Sequence, residues 1–458
     1  MDQERKLPSR RGLLKGAGIG AAIAAGGSGC KTLPNTGKST APIHQRPWWV
    51  KAVSRPTLGE TTTEFERFSG ADIFKLYREL KDEREGEGAF KKEQQARRSR
   101  VVAWAREGKK GFSLRDRQVA QAAWTVMRSA RAGERLLSWN RLRIAPPSEL
   151  GLEPYRASPE ETANTIKAAA RLYGAALAGI APMNEKYVNR RDGDRDIVFE
   201  DVAEPKVTEE KFVIPKSMKW VVAIGIQMDL DLINLPGTTI GEGASSLGYS
   251  HCAFVVSTLA EFIRGLGYQA IPSVNDTAQS VPFAIDAGLG ELSRMNRLIT
   301  PEFGPAVRLC KVFTDLPMAC DKPVGFGVVE FCKRCKKCAY WCPSQALSHD
   351  DEPSFKIKGP WNNAGHKAWF EDSYKCYHYW QELTTACSVC FSVCPYTKGD
   401  KAWIHDAVKA AASVAPPADH LFRVMDDAFG YGNPSDPEEW WKQDAPAFGI
   451  DSRRGTRS

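Results

Sequence analysis

Eight of the twelve cysteines of this 458-residue chain lie between positions 332 and 394, and their spacing is its strongest chemical signal. Cys332, Cys335, Cys338 and Cys342 are separated by two, two and three residues, and Pro343 follows. Two-residue gaps let three thiolates converge on three corners of one iron–sulfur cube while the fourth cysteine points away. In bacterial ferredoxin runs of this form that fourth cysteine ligates a second cluster. A second run, Cys387, Cys390 and Cys394-Pro395, has Thr384 where its first cysteine is expected, and Cys376 lies a short way upstream to supply the missing ligand. The spacing predicts two [4Fe–4S] clusters, one on Cys332, Cys335, Cys338 and Cys394, the other on Cys342, Cys376, Cys387 and Cys390. A zinc ribbon or a set of disulfides fits this spacing poorly. Cys252, Cys310 and Cys320 sit in apolar surroundings and read as small buried hydrophobes.

Two clusters inside a long chain form a wire that delivers single electrons to a further centre, and spacing alone does not name that centre. No Gly-x-Gly-x-x-Gly follows a strand-like run, so a dinucleotide site is unsupported. No Asp-x-His-x-x-Gly loop offers a histidine to a cobalt, and the seven histidines form no metal-ligand pair. His251 and His378 read as structural, each hydrogen-bonded in place. Thirteen tryptophans are available to line a pocket for a flat or apolar ligand.

The N-terminus reads as an address. Ser9-Arg10-Arg11-Gly12-Leu13-Leu14-Lys15 precedes a short apolar Gly/Ala run, the pattern of a twin-arginine export signal over 1–30. That route moves proteins already folded, which suits a chain whose clusters are inserted before export. Gly29-Cys30 lacks the leucine of a lipoprotein cleavage site. The net charge of +8 falls by 5 − 2 = 3 when the first 29 residues are set aside, and no basic stripe interleaved with aromatics is present. Nucleic acid is therefore not an expected partner. No later stretch reaches the ~18–20 apolar residues that span a bilayer.

Several elements must position the cysteines and the pocket. Residues 31–140 divide into a Pro-, Thr- and Ser-containing arm and a helical unit, with helical periodicity over Gln118–Leu137. Residues 158–181 read as one helix opened by Ser158-Pro159-Glu160-Glu161. Lys219–Met228 has the β-branched, apolar character of a buried strand. Ser250–Leu266 reads as a helix closed by Gly267, and Gln269–Pro272 and Val307–Phe313 as further strands. Alternating strand and helix predict an α+β or α/β core over 141–325, with a charged surface insertion at about 182–215. The cluster domain spans 326–400, and 401–458 is expected to wrap back over the body.

From Gly241 to about Gly432 the chain resembles the respiratory corrinoid iron–sulfur reductive dehalogenases, the tetrachloroethene-type members in particular. The strings that carry the resemblance are Gly248-Tyr249-Ser250-His251, Glu261-Phe262-Ile263-Arg264, Ala270-Ile271-Pro272-Ser273-Val274-Asn275 and Ser293-Arg294-Met295. Ile299-Thr300-Pro301-Glu302-Phe303-Gly304-Pro305, both cysteine runs, Pro395-Tyr396-Thr397-Lys398-Gly399 and Met425-Asp426-Asp427-Ala428 complete it. The resemblance implies a nitroreductase-like core holding a base-off corrinoid with no protein ligand on cobalt. The missing Asp-x-His-x-x-Gly loop agrees with that. It implies reductive removal of halide from an organohalide, a chlorinated or brominated alkene, with Tyr249 as proton donor, Arg308 beside it and Asn275 close by. A guanidinium beside a phenol favours loss of the phenolic proton. Trp380 matches a wall of the family's pocket, and Ser245 stands at a lining position where the residue type differs. Trp124 and Phe74 are assigned to the lining as well.

The same resemblance implies an upstream electron donor, a small integral-membrane anchor protein and a peripheral location on the outer face of the cytoplasmic membrane. A homodimer is compatible with it. Two competing readings are an epoxyqueuosine reductase-like enzyme and a non-catalytic two-cluster electron carrier. The export signal speaks against the first, and the long region ahead of the cysteines speaks against the second.

Overall fold

The computed structural model describes residues 46–68, 73–397, 409–410, 426, 430 and 432–443. The export signal and most of the C-terminal segment expected to wrap the body lie outside the described residues. An N-terminal helical layer comes first: α1 (Ile73–Glu85), α2 (Ala89–Arg106) and α3 (Leu114–Ala123). Gly86 and Gly88, at φ 99° and 81°, turn α1 back onto α2. Ser113 and Asp116 close a capping box at the start of α3. The helical pattern expected over Gln118–Leu137 breaks early. After α3 there is one further turn, Thr125–Arg128, and then Gly133 and Arg135 take positive φ of 75° and 50°, which a helix cannot continue.

The central unit follows: α4 (Pro159–Leu172), β1 (Leu177–Pro182), β2 (Trp220–Gln227), α5 (Glu242–Gly265), β3 (Ala270–Ser273), α6 (Ser280–Asp286) and β4 (Val307–Thr314). Its sheet runs in the order β1-β2-β4-β3, and every neighbouring pair is antiparallel. Alternation of strand and helix in sequence therefore does not carry a parallel sheet. β2 and β3 run alike, but they flank β4 rather than each other. Residues 158–181 are not one helix either. Gly174 at φ 109° ends α4, and the Ala-rich run that follows is strand β1.

β2 is buried on both faces, as its unbroken apolar run requires. Val222, Ile224 and Ile226 pack with Ile166 of α4 and Val256 and Leu259 of α5. Val221 and Ala223 pack with Phe283 of α6 and with Ile197 and Phe212. Those last two belong to a second, small sheet between β1 and β2, in which Arg195–Glu200 lies parallel to Lys211–Pro215. The charged stretch here thus has its own buried apolar side.

The cysteine-bearing region contains α7 (Val328–Cys335), α8 (Lys337–Tyr340), α9 (Ser373–Leu383) and α10 (Val389–Ser392). It is tied to the central unit by buried Glu291, whose carboxylate accepts from the Phe326 and Val328 amides at 2.7 and 3.2 Å. It is tied to the N-terminal layer by Arg97 and Arg100 of α2, which donate to the Thr384 and Gln381 carbonyls at 3.1 and 3.0 Å. These arginines satisfy the open carbonyls at the C-terminal end of α9. Cys252 and Cys310 are buried as expected, whereas Cys320 is exposed. The chain beyond Met318 runs over the surface, where Asp321 pairs with Lys167 at 2.6 Å. Among the described residues no helix is long and apolar enough to cross a membrane.

Candidate active site

Helix α5 supplies one wall. Glu242, Ser245 and Tyr249 recur at steps of three and four, so they share a face of the helix. Glycine at 248 lets that face approach β4, because a Cβ there would stand 2.8 Å from Cγ of Arg308. Arg308 then lies over the Tyr249 ring, its guanidinium carbon 4.8 Å from the ring centroid, and its Nη2 donates to Ser245 Oγ. Asn275, in the turn after β3, donates from Nδ2 to Tyr249 Oη at 2.9 Å. Trp124, just beyond α3, stacks on the Tyr249 ring at 5.2 Å and 18°. Tyr249 is partly exposed and Asn275 exposed, so the phenol is held but reachable.

Five of the residues expected from sequence thus meet: Tyr249, Arg308, Asn275, Ser245 and Trp124. Phe74 and Trp380 are grouped instead around Tyr377, at ring separations of 4.8 and 5.9 Å. Two residues were missed. Glu242 accepts from Trp124 Nε1 at 3.1 Å and from Thr385 Oγ1 at 2.6 Å, clamping the stacked tryptophan to the cysteine-bearing region. Phe391 of α10 lies 5.8 Å from the Arg308 guanidinium carbon. The spacing of Glu242 to Ser245 and Tyr249 would have revealed it had α5 been started eight residues earlier. Phe391 gave no signal, since its contact spans 83 positions of sequence.

His251 is part-buried, and His378 has the hydrogen-bonding surroundings expected of it. Burial lowers the His251 pKa. His378 Nδ1 lies 2.7 Å from the Tyr77 hydroxyl and 3.1 Å from Glu93 Oε1, joining α9 to the N-terminal layer.

The cysteines fall into two sets. Cys338 is affected electrostatically by Cys332, Cys394 and Cys335, and these four line one cavity together with Arg294 and Tyr396. Cys376 is affected by Cys390 and Cys387, and Cys390 by Cys387 and Cys342. Lys336 and Ser388, each directly after the first cysteine of a two-residue gap, take left-handed φ of 50° and 58°. Strained backbone of this kind carries a cost that ligation can offset.

Burial and facing thiols push Cys387 up to about 11 and Cys390 up to about 12. Cys338, Cys376 and Cys394 are raised by the same causes. Buried thiolates of this kind require a strongly positive metal centre to hold them deprotonated. Among the described residues no three His, Cys, Asp or Glu close around a single ion. Arg308 Nε in the site, and Trp380 Nε1 in the group around Tyr377, are buried without a hydrogen-bond partner, which points to a bound molecule as partner.

Comparison with known proteins agrees with this geometry. Residues 331–397 match the model of a 4Fe-4S double cluster binding domain. A tetrachloroethene reductive dehalogenase of Sulfurospirillum multivorans is 39 % identical over 65 % of this chain and 62 % of its own length. A tetrachloroethene reductive dehalogenase of Dehalobacter restrictus is 33 % identical over 66 % of this chain and 60 % of its own. The chain spans about three-fifths of the length of these relatives. Among solved structures, a reductive dehalogenase described with a mechanism for B12-dependent dehalogenation shares the fold at a TM-score of 0.63 and 23 % identity, covering 86 % of this chain and 50 % of that one. Across the aligned residues this chain is similar to the tetrachloroethene reductive dehalogenases, and its cysteine-bearing part matches a 4Fe-4S double cluster binding domain.

Proposed function

We propose that the chain is a reductive dehalogenase in which two [4Fe–4S] clusters feed a base-off corrinoid, with Tyr249 as proton donor to the carbon that loses halide. The observation that carries this reading is the convergence of Tyr249, Arg308 and Asn275 beside Phe391, which lies between Cys390 and Cys394. Homology to tetrachloroethene reductive dehalogenases supports an organohalide substrate, and a chlorinated or brominated alkene fits an aromatic-lined site. The antiparallel sheet with α4 and α5 packed on it supports reading the core as nitroreductase-like.

A corrinoid, when bound, supplies the reduction that expels halide. Arg308 and Trp380, through their unpartnered nitrogens, are the residues to meet it or the substrate. The chain's own work is to place a proton. Asn275 donates to Tyr249 Oη, so the phenolic hydrogen is left free to point toward the substrate. Arg308 over the ring stabilises the negative charge that develops on that oxygen as the proton leaves. Trp124 fixes the ring plane and covers one face of it. A bare electron carrier has no use for this assembly.

The export signal supports a place on the outer face of the cytoplasmic membrane, reached with a small membrane anchor protein. An upstream one-electron donor is required in either case, and a homodimer is compatible with the reading. The test is halide release from a panel of chloroethenes, bromoethenes and halophenols with a reduced viologen under anaerobic conditions. Tyr249→Phe should keep its iron and cobalt and lose turnover at least ~100-fold. Unchanged turnover in that variant would remove Tyr249 from the donor role.

A further inference from the structure

Arg294 is 1 % exposed, and its charge lies against the first cysteine set. Its Nε and Nη2 donate to the Cys332 carbonyl at 3.0 and 2.8 Å, and Nη1 donates to the Ser348 and Asp350 carbonyls at 2.8 and 2.6 Å. The guanidinium also lies over the Trp369 ring at 4.6 Å. Every one of these acceptors is neutral, so four of the five guanidinium N–H groups are hydrogen-bonded while the positive charge stays uncancelled. The nearby carboxylate of Asp351 is exposed and already engaged by Lys336. The buried Lys337 in the same region is matched by Asp426 at 2.5 Å.

The second cysteine set has a different arrangement. Arg297 and Glu371 both act on Cys376 and Cys390, but Arg297 Nη2 lies 2.7 Å from Glu371 Oε1. The two charges cancel there.

We propose that Arg294 raises the reduction potential of the cluster on Cys332, Cys335, Cys338 and Cys394, and that Glu371 keeps Arg297 from doing the same at the other cluster. The inference rests on the two-cluster reading. Four thiolates make each cluster a net anion, and one-electron reduction adds one more negative charge to it. A fixed cation in a low-dielectric site favours the reduced form. A cation paired with a carboxylate does so far less. Arg294 belongs to the remote end of the wire, because Phe391, next to Cys390, adjoins the Tyr249 site through Arg308.

The test is an anaerobic redox titration of the full, cluster-loaded chain, followed by electron paramagnetic resonance, with iron and sulfide assayed alongside. Arg294→Gln should lower one of the two midpoints enough to change the reduced-to-oxidised ratio about tenfold at a fixed potential, ~59 mV for one electron. Arg294→Lys, which keeps the charge and loses the fork, should stay nearer the wild type. Glu371→Gln should raise the other midpoint. A fully loaded Arg294→Gln variant with unmoved midpoints overturns the proposal, as does an equal fall in Arg294→Lys. If Arg294→Gln fails to load, an unmoved midpoint in Glu371→Gln overturns it instead. A wild-type chain without two cubes of iron and sulfide sinks the underlying two-cluster reading, a distinct outcome.

Discussion

The Tyr249 phenol is restrained by a hydrogen bond from Asn275, by Arg308 over its ring and by Trp124 on its face. Asn275 in turn depends on a residue no motif pointed to. Lys311, with 0 % exposure, donates to the Val274 carbonyl at 2.7 Å and to Ser280 Oγ at 3.0 Å, holding the turn from which Asn275 projects. Burial pushes the Lys311 pKa down to about 8 from 10.5. Between those values the folded protein binds fewer protons than the unfolded chain, so stability rises with pH across that window. The contribution is full above the unfolded value and is lost as pH falls through about 8. Its scale is on the order of 3 kcal/mol. Relative to Lys311→Met, which has nothing to titrate there, the wild type should gain melting temperature between pH 8 and pH 10. A constant difference over that range would contradict the assignment. At this scale the sequence was readable where spacing groups like residues, as for the eight cysteines, which the fold gathers into two sets. Lys311 was hidden because a buried lysine in an apolar strand looks like a surface one until its neighbours are known.

Helix α5 is the element on which the site depends, because it carries Glu242, Ser245 and Tyr249 along one face while packing into β4. Its first turns contain Gly243, Ala244, Ser245, Ser246 and Gly248, which leave room for Arg308 and for Val119 of α3. Those small residues also blurred its start in the sequence, since glycine and serine weaken the helical pattern. The strands at Lys219–Met228, Gln269–Pro272 and Val307–Phe313 were legible from β-branched apolar runs. β1 was not, because Leu177-Ala-Gly-Ile-Ala-Pro182 is too short and alanine-rich for periodicity to separate strand from helix. Gly248→Ala tests the element directly. The added methyl would stand 2.8 Å from Arg308 Cγ, so the arginine stem must shift off Tyr249. Turnover should fall ~10-fold or more while the visible spectrum of the clusters is unchanged. Wild-type turnover in that variant would show that the Arg308 position is not demanding.

Across the whole molecule, three regions are locked together at the places the chemistry needs. Glu242 and Phe391 join the central unit to the second cysteine set, Glu291 and Arg294 join it to the first, and Arg97 and Arg100 fix the N-terminal layer to α9. These contacts place the second cysteine set beside Arg308 and Tyr249. None of it was readable from the sequence, because each joint pairs residues far apart along the chain. The most direct test of the account is metal analysis of the anaerobically purified, corrinoid-supplied protein. The account predicts about eight irons and about one cobalt per chain. Zinc or disulfides at the paired cysteine runs, with no cobalt retained, would contradict it.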